Sequence, residues 1–214
     1  MRYKLICFDM DGVIFKETNF WIKVHQALGT TKKGEELTKK YLHTNYQKLV
    51  EEVVQNLWKG KSAKPYFKLV QSLKYNKGVK EVFTLLKEKK VVTALVSASS
   101  IDVAQRAQKD FGIDHIYANE LIIKNGKITG KFLFPIGAGG KKKAQIVQNL
   151  AQDLKIKLKE VIFIGDSETD IEAFREVGLA IAFNTTSAKV MIAADFIIGG
   201  NDLRAILPIL NISS

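Results

Sequence analysis

Cysteine is almost missing from this chain: Cys7 is the only one among 214 residues. With one thiol no intrachain disulfide framework can form, and a reducing compartment is expected. Cys7 lies in an apolar run, where a small buried hydrophobe is its expected role. Long hydrophobic runs are missing too. The run before Asp9 has four residues, too few for the hydrophobic region of a signal peptide, and no segment approaches a membrane span. A cytoplasmic protein with no membrane partner is therefore expected. Arginine and aspartate are absent between Lys16 and Lys77, where 13 Lys and 5 Glu carry +8 of the chain's net +11. So basic a stretch invites anions. No helix-turn-helix, RNA-binding aromatic or zinc pattern accompanies it, which counts against a nucleic-acid partner and leaves solvated helix faces as the plainer reading. The sequence leaves the oligomeric state open.

The composition is that of a folded protein, with 46% apolar and 26% charged residues. Leu5-Ile6-Cys7-Phe8 reads as a buried parallel strand that runs into Asp9-Met10-Asp11-Gly12. Side chains two apart on extended backbone point the same way, so Asp9 and Asp11 can serve one site beyond the strand. Two carboxylates so placed repel unless a cation or proton lies between them. Gly12 allows a tight exit.

Residues 15–77 show helical periodicity and no convincing strand. Phe20, Val24, Ala27 and Leu28 form one apolar face, and Tyr46, Leu49, Val50, Val53, Val54 and Leu57 another. Trp21 and Trp58 are expected in the core of these helices or at a substrate mouth, and His25 and His43 in surface or core packing. From residue 78 helices and strands alternate: helix Val79–Lys89, strand Val91–Val96, helix Asp102–Phe111, strand Ile116–Ala118, then a hairpin turning at Asn125-Gly126. Helix Lys142–Leu154, strand Val161–Ile164, helix Glu168–Val177 and strands Leu179–Phe183 and Phe196–Ile198 follow. Such alternation predicts an α/β fold, a Rossmann-like parallel sheet with helices on both faces. Residues 1–14 and 78–214 would form this core, with a helical cap, residues 15–77, inserted after the first strand.

Sites in such folds lie at the carboxyl ends of the strands. Ser97-Ala98-Ser99-Ser100 offers hydroxyls and N–H groups that suit a phosphate or simply cap a helix. Gly165-Asp166-Ser167-Glu168-Thr169-Asp170 sets two acids one helical turn apart, facing one site or complementing a helix dipole. Lys141, Lys142 and Lys143 open a helix, where a cation is poorly placed for the dipole, so an anion partner or a solvated cluster is expected. Gly137-Ala138-Gly139-Gly140-Lys141 is no phosphate-binding loop, because Pro135 and Lys142 occupy required positions. A flexible connection is expected there.

In this order, Asp9-Met10-Asp11-Gly12, Ser97, Lys143 and Gly165–Asp170 resemble the four motifs of the haloacid dehalogenase superfamily, in its phosphoserine phosphatase-like branch. That branch also carries a helical cap after the first motif and a hairpin like Leu121–Thr129. The resemblance implies a Mg²⁺-dependent phosphatase acting on a small phosphorylated substrate through an aspartyl-phosphate. It makes Asp9 the nucleophile and Asp11 the general acid and base. Ser97, Ala98 and neighbouring N–H groups would hold the phosphoryl oxygens. Mg²⁺ would sit on Asp9, the Asp11 carbonyl and Asp166, with Asp170 in support. Lys143, in the register Lys-x-x-aliphatic-aliphatic, would be the motif lysine. Glu17 stands where the branch binds a substrate ammonium, although the connection is one residue shorter. The cap lacks the arginine that would bind a substrate carboxylate, and Ser-Ala-Ser replaces Ser-Gly-Gly. Phosphoserine is one candidate substrate. From another class, a phosphorylated receiver module would also combine paired acids, a hydroxyl and a lysine.

Overall fold

The computed structural model describes residues 2–42 and 44–211, so His43 lies outside the described residues. The strands are β1 (Leu5–Phe8), β2 (Val92–Ser100), β3 (His115–Lys124), β4 (Lys127–Leu133), β5 (Val161–Gly165), β6 (Leu179–Phe183) and β7 (Phe196–Ile198). They form one sheet in the order β4-β3-β2-β1-β5-β6-β7, with β4 antiparallel to β3 and the other pairs parallel. Numbering only the parallel strands along the chain, the order is 3-2-1-4-5-6, that of doubly wound nucleotide-binding sheets. A receiver has the order 2-1-3-4-5 instead. β1 is therefore flanked by β2 and β5, and the chain departs to opposite sides of it at the switch point.

Burial on both faces follows from the two-residue period. Ile6 and Phe8 join one apolar core, while Leu5 and Cys7 join the other. The first core is covered by α5 (Val79–Glu88), α6 (Ile101–Phe111) and the helices of residues 15–77. The second is covered by α7 (Lys141–Asp153), α8 (Ile171–Glu176) and α9 (Ala188–Ala193).

Between β1 and α5 the chain forms α1 (Phe20–Ala27), α2 (Thr31–Tyr41), α3 (Tyr46–Glu51), a π-helix (Glu52–Trp58) and α4 (Lys64–Ser72). The expected apolar faces are buried at Phe20, Val24, Leu28, Leu49, Val50, Val53 and Val54, but Ala27 is exposed. The connections leaving and re-entering the core are tied together. Lys16 N–H donates to the Lys74 carbonyl and Asn76 N–H to the Ile14 carbonyl, both at 2.9 Å. Gly60 N–H donates to Ile128 of β4 at 2.8 Å, so the hairpin also holds the helical segment.

Several boundaries differ from the sequence expectation. β2 runs through Ser100, because Ser97, Ser99 and Ser100 are buried in the sheet rather than looped out. The short strand and the hairpin arm expected after it are one ten-residue strand, β3, with Ala118, Asn119 and Leu121 all buried. The helix expected at Glu168–Val177 begins as a 3₁₀ turn, Glu168–Asp170, because the Asp170 carboxylate turns back onto the N–H groups before it. Short α9 buries only Val190 and leaves no periodic signal. The glycines before α7 occupy left-handed conformations at Gly137, Gly139 and Gly140, with φ of 57°, 100° and 59°. Gly139 packs on Thr169, where a Cβ would stand 2.7 Å from its side chain. These glycines shape a defined turn, in place of the flexible connection expected.

Candidate active site

The ends of β1, β2 and β5 and the start of α7 converge on one cavity of about 350 Å³. Asp9, Asp11, Ser97, Ala98, Ser99, Lys143 and Asp166 all line it. Asp9, the first residue beyond β1, is 5% exposed. Its Oδ1 accepts the Met10 N–H at 2.6 Å and its Oδ2 meets Lys143 Nζ at 2.7 Å. Asp11 points to the same cavity across a turn in which Gly12 has φ 77°. A Cβ at Gly12 would collide with the Asp166 carboxylate, so the turn needs glycine for space as well as for conformation.

Lys143 settles which of three lysines is engaged. Lys141 and Lys142 are exposed, whereas Lys143 is fully buried one turn before Val147. Its ammonium also meets Asp170 Oδ1 at 2.6 Å. Burial works against its charge, but Asp170 and Asp9 outweigh burial and its pKa rises. The other Asp170 oxygen accepts N–H groups from Asp166 at 3.1 Å and Ser167 at 3.0 Å. Asp170 is thus a clamp that fixes the lysine and the Asp166 loop together. The Gly165 position has no Cβ, and one there would come within 2.5 Å of the Asp170 carboxyl.

Asp166 is differently placed. Among the described residues its carboxylate accepts no hydrogen bond, and burial, then Asp9 and Asp170, push its pKa up to about 8. Ligand oxygens from Asp9, Asp166 and Asp170 lie within 4.8 Å of one another. One ammonium, that of Lys143, serves both Asp9 and Asp170, so the three carboxylates outnumber it and Asp166 has no partner of its own among the described residues. Hard carboxylate oxygens around such a deficit fit Mg²⁺. The Asp11 carboxylate is outside this trio: Oδ2 accepts the Phe20 N–H at 2.8 Å, and Oδ1 is buried without a hydrogen bond among the described residues. Burial raises the Asp11 pKa to about 7, with the Phe20 N–H opposing and Asp9 reinforcing the shift.

The serines divide the two roles open to them. Ser100 caps α6, accepting the Asp102 N–H at 3.1 Å. Ser97 is buried at the cavity and accepts the Ser99 N–H at 3.2 Å. Two side chains hold this end of β2, Asn119, which the sequence did not mark, and Trp21, which was expected in the helical core or at a substrate mouth and does line the cavity. Asn119 Nδ2 donates to the carbonyls of Ala98 and Gly137, at 2.8 and 2.9 Å, and Trp21 Nε1 donates to Ala98 at 2.8 Å. Asn119 carries no sequence signal beyond its place in an apolar run. Ser99, part of the expected phosphate segment, lines the cavity, and so does Phe134, which the sequence did not mark. Glu17 does not line it, and its carboxylate lies 3.5 Å from Lys23.

A paired-acid strand end, a buried lysine–aspartate clamp and a third acid on the next strand define a hydrolase of phosphoryl type. The family described as haloacid dehalogenase-like hydrolase matches residues 3–178, and the chain belongs to it. Within that family it is a phosphatase, and its relatives carry a narrower name. The phosphoserine phosphatase of Methanocaldococcus jannaschii is 28% identical over 96% of this chain and 97% of its own. That of Campylobacter jejuni subsp. doylei is 31% identical over 71% of this chain and 72% of its own. A solved phospho-aspartyl intermediate analogue of phosphoserine phosphatase superposes with a TM-score of 0.84, at 26% identity, over all of both chains. Among the described residues no helix is long and apolar enough to cross a membrane.

Proposed function

We propose that this enzyme is a Mg²⁺-dependent phosphomonoester hydrolase, acting on a small phosphorylated metabolite through an aspartyl-phosphate on Asp9. Residues 15–77 act as its cap, and the free, buried Cys7 suits a cytoplasmic setting. The observation that carries the reading is Lys143, buried between Asp9 and Asp170 beside Asp166. That arrangement orients the Asp9 carboxylate as a nucleophile while leaving charge for a cation to neutralise.

Asp9 and Asp166, with the Asp11 main-chain carbonyl, would hold Mg²⁺. When bound, the ion screens the substrate phosphate from the carboxylates and stabilises charge on the transferring group. An Asp9 oxygen attacks phosphorus and the bond from phosphorus to the leaving oxygen breaks. Asp11, buried at the cavity beside Asp9 with its pKa raised in the metal-free protein, donates its proton to that oxygen. Asp11 then takes a proton from water as the water oxygen attacks phosphorus, releasing phosphate and restoring Asp9. Ser97 and the N–H groups of the β2 end, where Asn119 and Trp21 hold the Ala98 carbonyl, bind the phosphoryl oxygens. Lys143 offsets their charge.

Phosphoserine hydrolysis is the second reading, favoured by the names of the relatives. A receiver-type module is disfavoured by the strand order. Steady phosphate release from p-nitrophenyl phosphate, dependent on added Mg²⁺ and abolished by EDTA, is expected. A single stoichiometric turnover, or none, would overturn the hydrolase reading.

A further inference from the structure

The cavity has two unlike ends. Its charged lining residues, Asp9, Asp11, Lys143 and Asp166, all belong to the catalytic end. Beyond them the wall is built by α1, α2, α3, the π-helix and Phe134, and among the described residues it holds no Asp, Glu, Lys or Arg. Trp21 stacks between Trp58, at 6.0 Å, and Phe134, at 5.6 Å, and Val50, Val53 and Leu42 complete the surface. Trp58 is fixed by donating Nε1 to Thr30 Oγ1 at 3.1 Å. His25 packs on Trp58 at 4.8 Å and bonds the same hydroxyl at 2.8 Å. Burial lowers its pKa, so it stays neutral at neutral pH. Thr38 and Tyr46 add hydrogen-bonding groups without charge.

We infer that the preferred substrate is the phosphate monoester of an uncharged, mainly apolar alcohol, whose hydrocarbon part lies against the Trp21–Trp58–Phe134 wall. This rests on the phosphatase reading above and specifies its substrate class. An amino-acid ester such as phosphoserine would carry an ammonium and a carboxylate into the same space. Buried charges need partners. Among the described residues the wall offers none, because Glu17 is engaged with Lys23 outside the cavity lining and residues 16–77 contain no arginine. An apolar group meets a desolvated aromatic surface instead, where burial is favourable.

The test compares kcat/KM, with Mg²⁺ present, for 2-phenylethyl phosphate, ethyl phosphate and O-phospho-L-serine. All three release an alkyl alcohol, so a better leaving group cannot account for preference for the first. The expected result is a preference for 2-phenylethyl phosphate of roughly tenfold or more over both others, carried mainly by KM. A value for phosphoserine equal to or above it would overturn the inference and leave the phosphatase reading standing. Ile22 lines the cavity but is 51% exposed, so Ile22→Lys is tolerated by the fold. It is expected to reduce the preference at least about threefold, and an unchanged preference would remove the leaving group from this wall. Binding gives a readout independent of turnover, since the chain's two tryptophans both line the cavity. 3-Phenylpropylphosphonate should change their fluorescence at concentrations where 2-amino-4-phosphonobutanoate does not. Should none of the three esters release phosphate while p-nitrophenyl phosphate is hydrolysed, the inference is overturned and the phosphatase reading stands; that reading fails only if p-nitrophenyl phosphate is not hydrolysed either. In the phosphonate titration, a response to the amino phosphonate at equal or lower concentration also overturns the inference.

Discussion

The two ends of the cavity are built by different means. At the catalytic end the acids stand at or just beyond the ends of β1 and β5, and Asp9, Asp170 and Lys143 of α7 are fixed by contacts of 2.6 to 3.1 Å. At the other end the wall is assembled from four helical segments and Phe134, just beyond β4, held by aromatic packing and few polar bonds. Charge placement in a buried site tolerates little error, because an unpaired ion there costs several kcal/mol. An apolar wall tolerates exchange of shape so long as volume is kept. Chemistry is therefore expected to be stiff to mutation and substrate choice pliable.

The largest effect tests the stiff end. Asp9→Asn is expected to lower kcat by roughly 10⁴-fold or more, as loss of a nucleophile does. It should leave the fold intact, since Lys143 keeps Asp170 as a partner. Removing one negative charge also relieves Asp166, so the metal-free variant should melt no lower than the parent. Substantial turnover by Asp9→Asn, measured by phosphate release, would break the assignment.

Asp166→Ala comes next. It removes a carboxylate that accepts no hydrogen bond, so its loss should be felt in metal binding rather than folding. Initial rates across a Mg²⁺ titration should show a lower plateau and a midpoint shifted to higher concentration. An unchanged curve would exclude Asp166 from the site.

The charge deficit itself is a third expectation. In the metal-free protein Asp11 titrates at about 7 and Asp166 at about 8, against the ordinary 3.8 that holds in the unfolded chain. Between these values the folded state retains protons that the unfolded state has lost. Stability therefore falls as pH rises through this window. Melting temperature without metal is expected to decline from about pH 5 to about pH 8, and Mg²⁺ should raise it more at the upper end. A metal effect that is equal at both would contradict the unmet charge.

The smallest effect concerns the outer face of the pliable end. Lys32, Lys33, Lys39 and Lys40 are exposed on α2, and no lysine of residues 16–77 lines the cavity. Any help they give is long-range steering, screened beyond about 8 Å at physiological salt. kcat/KM for an anionic ester should fall with KCl more steeply than kcat, and reversing these four charges should flatten that slope. A variant with the parent's salt profile would show that they only solvate the helix.

The same contrast governs what the sequence made legible. Asp9 and Asp11 announced themselves because a two-residue period and a strand end act locally, and the alternation after residue 78 foretold the sheet. The choice of Lys143 over its neighbours followed from a motif, and its burial between two carboxylates gives the physical reason. Asn119 was invisible because its role is to reach across to Ala98 and Gly137, a relation between distant segments. The π-helix was likewise hidden, since its apolar positions fit an ordinary helical period until the backbone widened. The emptiness of charge, among the described residues, on the wall built by the helices of residues 15–77 was the least legible feature. Only folding separates the lysines outside from the tryptophans within.

The nucleophile can be observed directly. Enzyme turning over a phosphate ester with Mg²⁺ would be quenched, reduced with borohydride and mapped by mass spectrometry. An acyl phosphate on Asp9 is reduced to homoserine, so homoserine at position 9, dependent on substrate and absent from Asp9→Asn, is expected. An active preparation that yields no homoserine at position 9, and carries phosphate instead on Ser97 or another residue, would contradict the account.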